Sequence, residues 1–131
     1  MLSRLRILSG AVAGSLLALS APSSALAFGP SGVTTSTCTQ GANAMLTLNH
    51  DDGQVEAEME LHAGRAGHLW TVRFYNEGVK LLTVSQRAGS SDGGGTLSVS
   101  RLLINHAGTD EIRATATNQV TKERCVVRAS I

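Results

Sequence analysis

Apolar and polar residues alternate along much of this chain. The clearest case is residues 54–62, where four apolar residues alternate with Glu56, Glu58, Glu60 and His62. A period of two places successive side chains on opposite faces of a strand, whereas a helix would scatter the same apolar residues around its circumference. The pattern predicts a half-buried antiparallel strand with one core face and one water-facing face.

The same alternation recurs in the stretch that holds the only Trp and the only Tyr. Trp70, Val72 and Phe74 alternate there with more polar positions, and an Asn-Glu-Gly turn follows at 76–78. Gly suits a turn position that needs a positive φ. We predict that this segment is the central strand of the domain and the first arm of a hairpin.

Turn residues separate seven such segments, and no convincing helix is present. This pattern predicts an all-β fold, a seven-stranded antiparallel sandwich of immunoglobulin-like kind. A small closed barrel is the alternative. Besides the strand around Trp70, the predicted strands cover residues 44–49, 54–62, 79–87, 96–105, 111–118 and 124–131.

The fifth predicted strand breaks the alternation of apolar and polar residues. Leu97 and Val99 share a face with Arg101, so we predict a bulge near Arg101 that turns Leu102 and Ile104 inward.

The loop at 88–95 contains only small residues and one Asp. We predict that it is the most mobile loop, because no side chain anchors it in a core.

The N-terminus has the features of a secretory signal peptide at residues 1–27. Arg4 and Arg6 precede an apolar run at 7–21, and Ala-Leu-Ala at 25–27 predicts cleavage that leaves Phe28 as the first residue. The alternative is a retained anchor, but the apolar run is shorter than the ~20 residues of a spanning helix. We therefore predict a secreted, extracellular protein with a flexible lead-in at 28–37 and a domain at 38–131.

Charge narrows the choice of partners. Removing the two arginines of the signal from the 11 basic residues leaves nine, against ten acidic residues. The mature chain is almost neutral and has no block of like charge. This balance favours an unknown protein or a cell-surface ligand as partner, with no nucleic acid and no membrane span in the mature form.

The chain has two cysteines, Cys38 and Cys125. In an exported protein two cysteines most often pair, so we predict a disulfide between them. The alternative, a reactive or metal-binding thiol pair, lacks a C-x-x-C spacing. A bond between residues 87 positions apart would stabilise the domain by about 4–5 kcal/mol in the chain-entropy model.

Other candidate chemistry is weaker. The three glutamates of the second strand stand about 6.5–7 Å apart, a carboxylate separation compatible with glycoside hydrolysis. They stand in a line, however, as on any solvated strand face. The four histidines, at positions 50, 62, 68 and 106, lack the spacing of zinc ligands. We predict no catalytic residue, no metal and no cofactor.

Residues 105–118, NHAGTDEIRATATN, resemble the penultimate strand of bacterial immunoglobulin-like domains. The mature chain also resembles small, uncharacterised secreted proteins of high-GC Gram-positive bacteria. That resemblance implies a sandwich and secretion, and no particular activity. In antibody-type domains the disulfide joins the sheets beside a Trp, whereas here the cysteines lie near the chain ends. The motifs that carry the resemblance are Cys38, DDG at 51–53, GHLWTV at 67–72, NEG at 76–78, the loop at 88–95, AGTD at 107–110 and Cys125.

The polar side of the Trp70 strand is the best candidate for a contact surface. Leu69, Arg73 and Tyr75 lie opposite the apolar face, with Val79 and Leu81 beside them across the hairpin. Tyr and Arg beside aliphatic residues are typical of contact patches. We predict a secreted, non-catalytic binding or structural module.

Two other functions stay open. One is an inhibitor of a secreted hydrolase that presents the 88–95 loop or the 76–78 hairpin. The other is a small secreted hydrolase that uses the Glu56, Glu58 and Glu60 face.

Overall fold

The computed structural model describes residues 32–90 and 94–131. The predicted signal peptide, the first residues of the lead-in and positions 91–93 lie outside these ranges. No helix of the described residues is long and apolar enough to cross a membrane. The described ranges contain eight strands: β1 (Gly32–Thr37), β2 (Asn43–Asp51), β3 (Gln54–His62), β4 (Leu69–Asn76), β5 (Val79–Arg87), β6 (Thr96–Ile104), β7 (Glu111–Asn118) and β8 (Arg124–Ser130).

The strands form two four-stranded antiparallel sheets. Sheet I has the order β1-β2-β3-β6, and sheet II has the order β5-β4-β7-β8. Strands β2, β3 and β6 occupy the A, B and E positions of an immunoglobulin-like domain, and β4, β7 and β8 occupy the C, F and G positions. Strand β5 takes the additional place beside C. This topology confirms the predicted immunoglobulin-like sandwich and decides against the closed barrel.

Strand β1 raises the strand count from the predicted seven to eight. Residues 28–37 were expected to be a flexible lead-in, but 32–37 form β1, each paired with a residue of β2. The sequence GVTTST is rich in Val and Thr, which favour strands, but with one medium-sized apolar side chain it lacks the apolar alternation from which the other strands were predicted. Gly32 also approaches β8 closely: a Cβ there would lie 2.6 Å from the carbonyl oxygen of Ser130.

The alternating residues form the core as predicted. The observed bounds of β3, β5 and β7 agree with the predicted segments. Trp70, Val72 and Phe74 on β4 are completely buried, and they face the equally buried apolar side of β3 within one cluster. Burying one such large side chain contributes about 1.5–3 kcal/mol.

The predicted bulge near Arg101 is wrong. The pairing of β6 with β3 runs without a shift along the whole length of both strands. Leu103 is therefore the buried residue, while Leu102 and Ile104 point outward and are 50% and 64% exposed. The irregularity lies in β5 instead, where Leu81 is the extra residue in the pairing with β4.

The disulfide between Cys38 and Cys125 is present, with the two Cα atoms 4.4 Å apart. It joins the residue after β1, in sheet I, to β8, in sheet II, so it does connect the two sheets, at their edges. Hydrogen bonds also join the two sheets at this edge. The Ser36 hydroxyl donates to the Val126 carbonyl (2.9 Å), and the Thr39 N–H donates to the Arg124 carbonyl (3.0 Å). We call this edge the β1–β8 seam.

The two ends of the 88–95 loop are held in place. Ala88 is buried in the core, although we predicted no anchoring side chain. At the other end, the Gly95 carbonyl accepts a hydrogen bond from the Ala63 N–H (2.9 Å). The described ends of this loop therefore pack against the loop between β3 and β4.

Candidate binding surface

The predicted contact residues lie together on the outer face of sheet II. Leu69, Arg73 and Tyr75 point outward from β4 because Trp70 and its alternating neighbours point into the core, and all three are half-buried. The neighbours predicted across the hairpin are different. Leu81 packs against the core, and Val79 pairs with the inward-facing Asn76.

Cross-strand pairing brings basic side chains next to Tyr75. Arg113 on β7 and Lys80 on β5 are its partners on either side, and Arg128 on β8 is the partner of Arg113. These four residues, one from each strand of sheet II, form what we call the Tyr75 row. Because neighbouring strands are about 4.8 Å apart, the row extends for about 14 Å.

Arg113 lies over the ring of Tyr75. Its guanidinium carbon is 4.1 Å from the ring centroid, a geometry in which the cation is attracted to the π face. The Nε atom of Arg113 is buried and has no hydrogen-bond partner. The contact with Tyr75 is thus the interaction of this guanidinium that the structure shows.

The whole outer face of sheet II is basic, with Glu111 as its one acidic residue. Residues 32–90 and 94–131 form two ion pairs, and each of them involves a histidine. The arginines and the lysine of this face therefore have no carboxylate partner there. Arg113 and Arg128 are even directly opposite each other, an arrangement of like charges that destabilises a sheet. The basic face consists of Arg73, Lys80, Arg87, Arg113, Arg124 and Arg128.

The outer face of sheet I has the opposite charge. Its described strands carry Asp51, Glu56, Glu58 and Glu60 and no arginine or lysine on that side; we call this the acidic face. The near-neutral total charge concealed this separation. The signal was nevertheless present in the sequence, in the outward positions of each alternating strand taken sheet by sheet.

The glutamates of the acidic face are engaged by neighbouring side chains. The Ser98 hydroxyl donates to Glu58 (2.9 Å), and the Ser100 hydroxyl donates to Glu56 (3.1 Å). Glu60 pairs with the imidazole of His62 (2.7 Å). The carboxylates stand side by side along β3 and do not face one another, so they lack the arrangement that glycoside hydrolysis needs.

A polar cleft of about 420 Å³ lies at the end of the sandwich next to the disulfide. The buried carboxylate of Glu123 accepts hydrogen bonds there from the N–H groups of Gln40 and Ala42, both at 2.9 Å. Glu123 was not among the predicted site residues, because a single Glu in a turn gives no signal of burial. The residues that line the cleft are Gln40, Ala63, Gly64, Arg65, His68, Asn118, Thr121 and Glu123.

Asn118 fixes the imidazole in this cleft. Its side-chain oxygen accepts the N–H groups of Val120 and Thr121 (2.8 and 3.1 Å), so its amide nitrogen faces Nδ1 of His68 at 3.0 Å. Nδ1 is then the acceptor, and neutral His68 carries its proton on Nε2. The polar groups of the cleft thus hold loops together. Within the described ranges, no group of three or more potential metal-ligating side chains occurs.

A second polar network closes the opposite end of the sandwich. Asp110 is completely buried, and its carboxylate accepts hydrogen bonds from the Asn76 amide (2.7 Å) and the His106 N–H (3.2 Å). The network anchors the 76–78 hairpin to the turn before β7. The sequence indicated only a turn at Asp110 and gave no sign of its burial.

Comparison with known protein families finds no match for this chain, and comparison with curated proteins finds none either. The resemblance to small secreted bacterial proteins therefore stays a prediction.

Proposed function

We propose that this chain is a secreted, non-catalytic binding module that contacts its partner outside the cell through the outer face of sheet II. One observation carries the proposal: within the described residues, this face keeps six basic side chains without carboxylate partners, and two of them, Lys80 and Arg113, pair across the strands with Tyr75. Unpaired charges on a folded surface are a source of attraction for a partner of opposite charge.

Two further observations support the proposal. The disulfide suits an oxidising compartment outside the cytosol. The conspicuous carboxylates, those of the acidic face and Glu123, are engaged in hydrogen bonds within the domain. The polar clusters of this domain thus hold its own loops, and its unpaired charges lie on one face of a sheet. This arrangement favours binding over catalysis.

The test compares two variants of the mature protein, fluorescently labelled and incubated with intact cells of the source organism. Arg73→Ala/Tyr75→Ala alters the centre of the proposed surface, and Glu58→Gln alters the opposite face. We expect the first to lose cell-surface retention and the second to keep it. Equal retention by both variants would refute the assignment of the surface.

The secreted material itself gives a second readout. Mass spectrometry of culture supernatant should find a chain that begins close to Phe28 and is two hydrogens lighter than the reduced form. An intact N-terminus in the cell pellet would contradict secretion.

A further inference from the structure

We propose that the basic face binds an acidic polysaccharide laid across the strands of sheet II, with the Tyr75 row as its principal contact. This inference rests on the proposed function and specifies the ligand of the same surface. It begins from the uneven charge of the sandwich: the outer face of sheet II carries six basic residues and one acidic residue, and the outer face of sheet I carries four acidic residues.

The identity of the basic residues points to oxyanions. Five of the six are arginines, whose planar guanidinium matches a carboxylate with two parallel hydrogen bonds. Arg113 and Arg128 face each other without a carboxylate of the described chain. An anionic ligand between them would relieve the repulsion that the free protein tolerates.

The spacing of the Tyr75 row suits a chain of sugars. Neighbouring strands are about 4.8 Å apart, close to the length of one pyranose unit. A polysaccharide that carries one carboxylate per sugar would therefore present adjacent charges to Arg128 and Arg113, and the next but one to Lys80 on the far side of Tyr75. Solvent-accessible hydroxyl groups lie on the same face, beyond Arg73, and can bond to sugar hydroxyls; they belong to Thr83, Ser85 and Thr117.

Other polyanions fit this face less well. Single-stranded nucleic acid needs open aromatic faces for stacking of bases, and Tyr75, the one aromatic residue of this face, lies under Arg113. An anionic membrane surface needs apolar side chains that insert. Three of the exposed apolar side chains of the described strands, Val33, Leu102 and Ile104, are on sheet I. The one on sheet II, Val79, is at the start of β5 and pairs with the inward-facing Asn76, so it does not belong to the basic face.

The test measures binding of a labelled polygalacturonate oligomer, with neutral dextran as the reference polymer, across a series of salt concentrations. Lys80→Gln/Arg128→Gln removes the two ends of the Tyr75 row and keeps the stacked pair between them. Arg65→Gln/Arg101→Gln is the matched control, because it removes the same charge from exposed positions outside the basic face.

We expect wild-type protein to bind polygalacturonate and not dextran. The row variant should bind at least about tenfold more weakly, with a salt dependence reduced by about two counterions, since each lost contact releases about one fewer. The control variant should change affinity less than about twofold. Thermal unfolding of the row variant at or above the wild-type temperature shows that the fold is retained.

Several results would overturn the inference. If both variants bind polygalacturonate equally more weakly than the wild type, the polymer is attracted by the total charge of the protein and not by the Tyr75 row. If the protein binds duplex DNA or phosphatidylserine vesicles but does not bind polygalacturonate, the basic face belongs to another polyanion. Salt-sensitive self-association that Glu56→Gln/Glu58→Gln/Glu60→Gln abolishes would make a second copy of the chain the partner.

The proposed function can fail separately. If polygalacturonate does not bind while retention on cells still requires Arg73 and Tyr75, the polysaccharide is wrong and the binding surface stands. If retention is also independent of these residues, both proposals are wrong.

Discussion

Removing the Cys38–Cys125 disulfide tests how this domain is stabilised. The bond spans 87 residues, and for a loop of that size the chain-entropy model gives about 4–5 kcal/mol of stabilisation, by restricting the unfolded chain. Small domains are stable by about 5–15 kcal/mol in total. The hydrogen bonds of the β1–β8 seam persist without the bond, so the reduced native fold should survive with most of its stability lost.

The assay is urea unfolding of Cys38→Ala, Cys125→Ala and the double variant. Each single substitution breaks the whole crosslink, so each should lower the free energy of unfolding by nearly the full amount. The double variant should lose only about 1 kcal/mol more, for the second buried sulfur. This strong non-additivity distinguishes a crosslink from two independent packing contacts. The m-value should also rise, because the unfolded chain becomes less compact.

A matched control at the same seam is Ser36→Ala, which removes one hydrogen bond and should cost about 1 kcal/mol. Two additive losses of about 1–2 kcal/mol from the cysteine variants would refute the crosslink argument, since values of that size are typical of lost packing. So would a double variant within about 1 kcal/mol of wild type, given the loop size.

Three further substitutions test individual contacts by the same unfolding measurement. Trp70→Ala should cost about 3–5 kcal/mol as a buried aromatic truncation; unchanged unfolding would remove Trp70 from the core. Gly95→Ala should be destabilising by more than about 1 kcal/mol, because φ is +26° and the new Cβ would collide with the Arg65 carbonyl oxygen. Gly89→Ala, where the nearest atom is 3.6 Å away, is its control and should be nearly neutral. Glu123→Ala should cost about 2–3 kcal/mol, since it leaves two backbone N–H groups without their acceptor; a neutral result would mean that water replaces the carboxylate.

Strands with large alternating side chains could be predicted closely. The bounds of β3, β5 and β7 agree because a period of two is a local property that the sequence displays directly. Strand β1 could not be predicted, since its order comes from pairing with β2 and from contact with β8. The phase of β6 also depends on a partner: unbroken pairing with β3 carries Leu102 and Ile104 to the outer face.

The candidate surface was predicted only in part. Leu69, Arg73 and Tyr75 share a face because they belong to one strand, and alternation alone indicates this. Their basic neighbours come from three other strands, so their assembly depends on the order of sheet II. The burial of Glu123 and Asp110 could not be predicted for the same reason, because each carboxylate accepts a hydrogen bond from a residue that is distant in the chain: Glu123 from the Gln40 N–H and Asp110 from the Asn76 amide.

The β1–β8 seam also bears on the order of folding. The hairpins β2–β3, β4–β5 and β7–β8 each close within a few residues, whereas the seam joins segments about 90 residues apart. Because closing the longer loop costs more chain entropy, we expect the seam to form after the hairpins. Docking of β8 brings the two thiols together, so the native contacts of the seam favour their oxidation. A chain arrested before β8 docks would expose a free edge of sheet II to other chains.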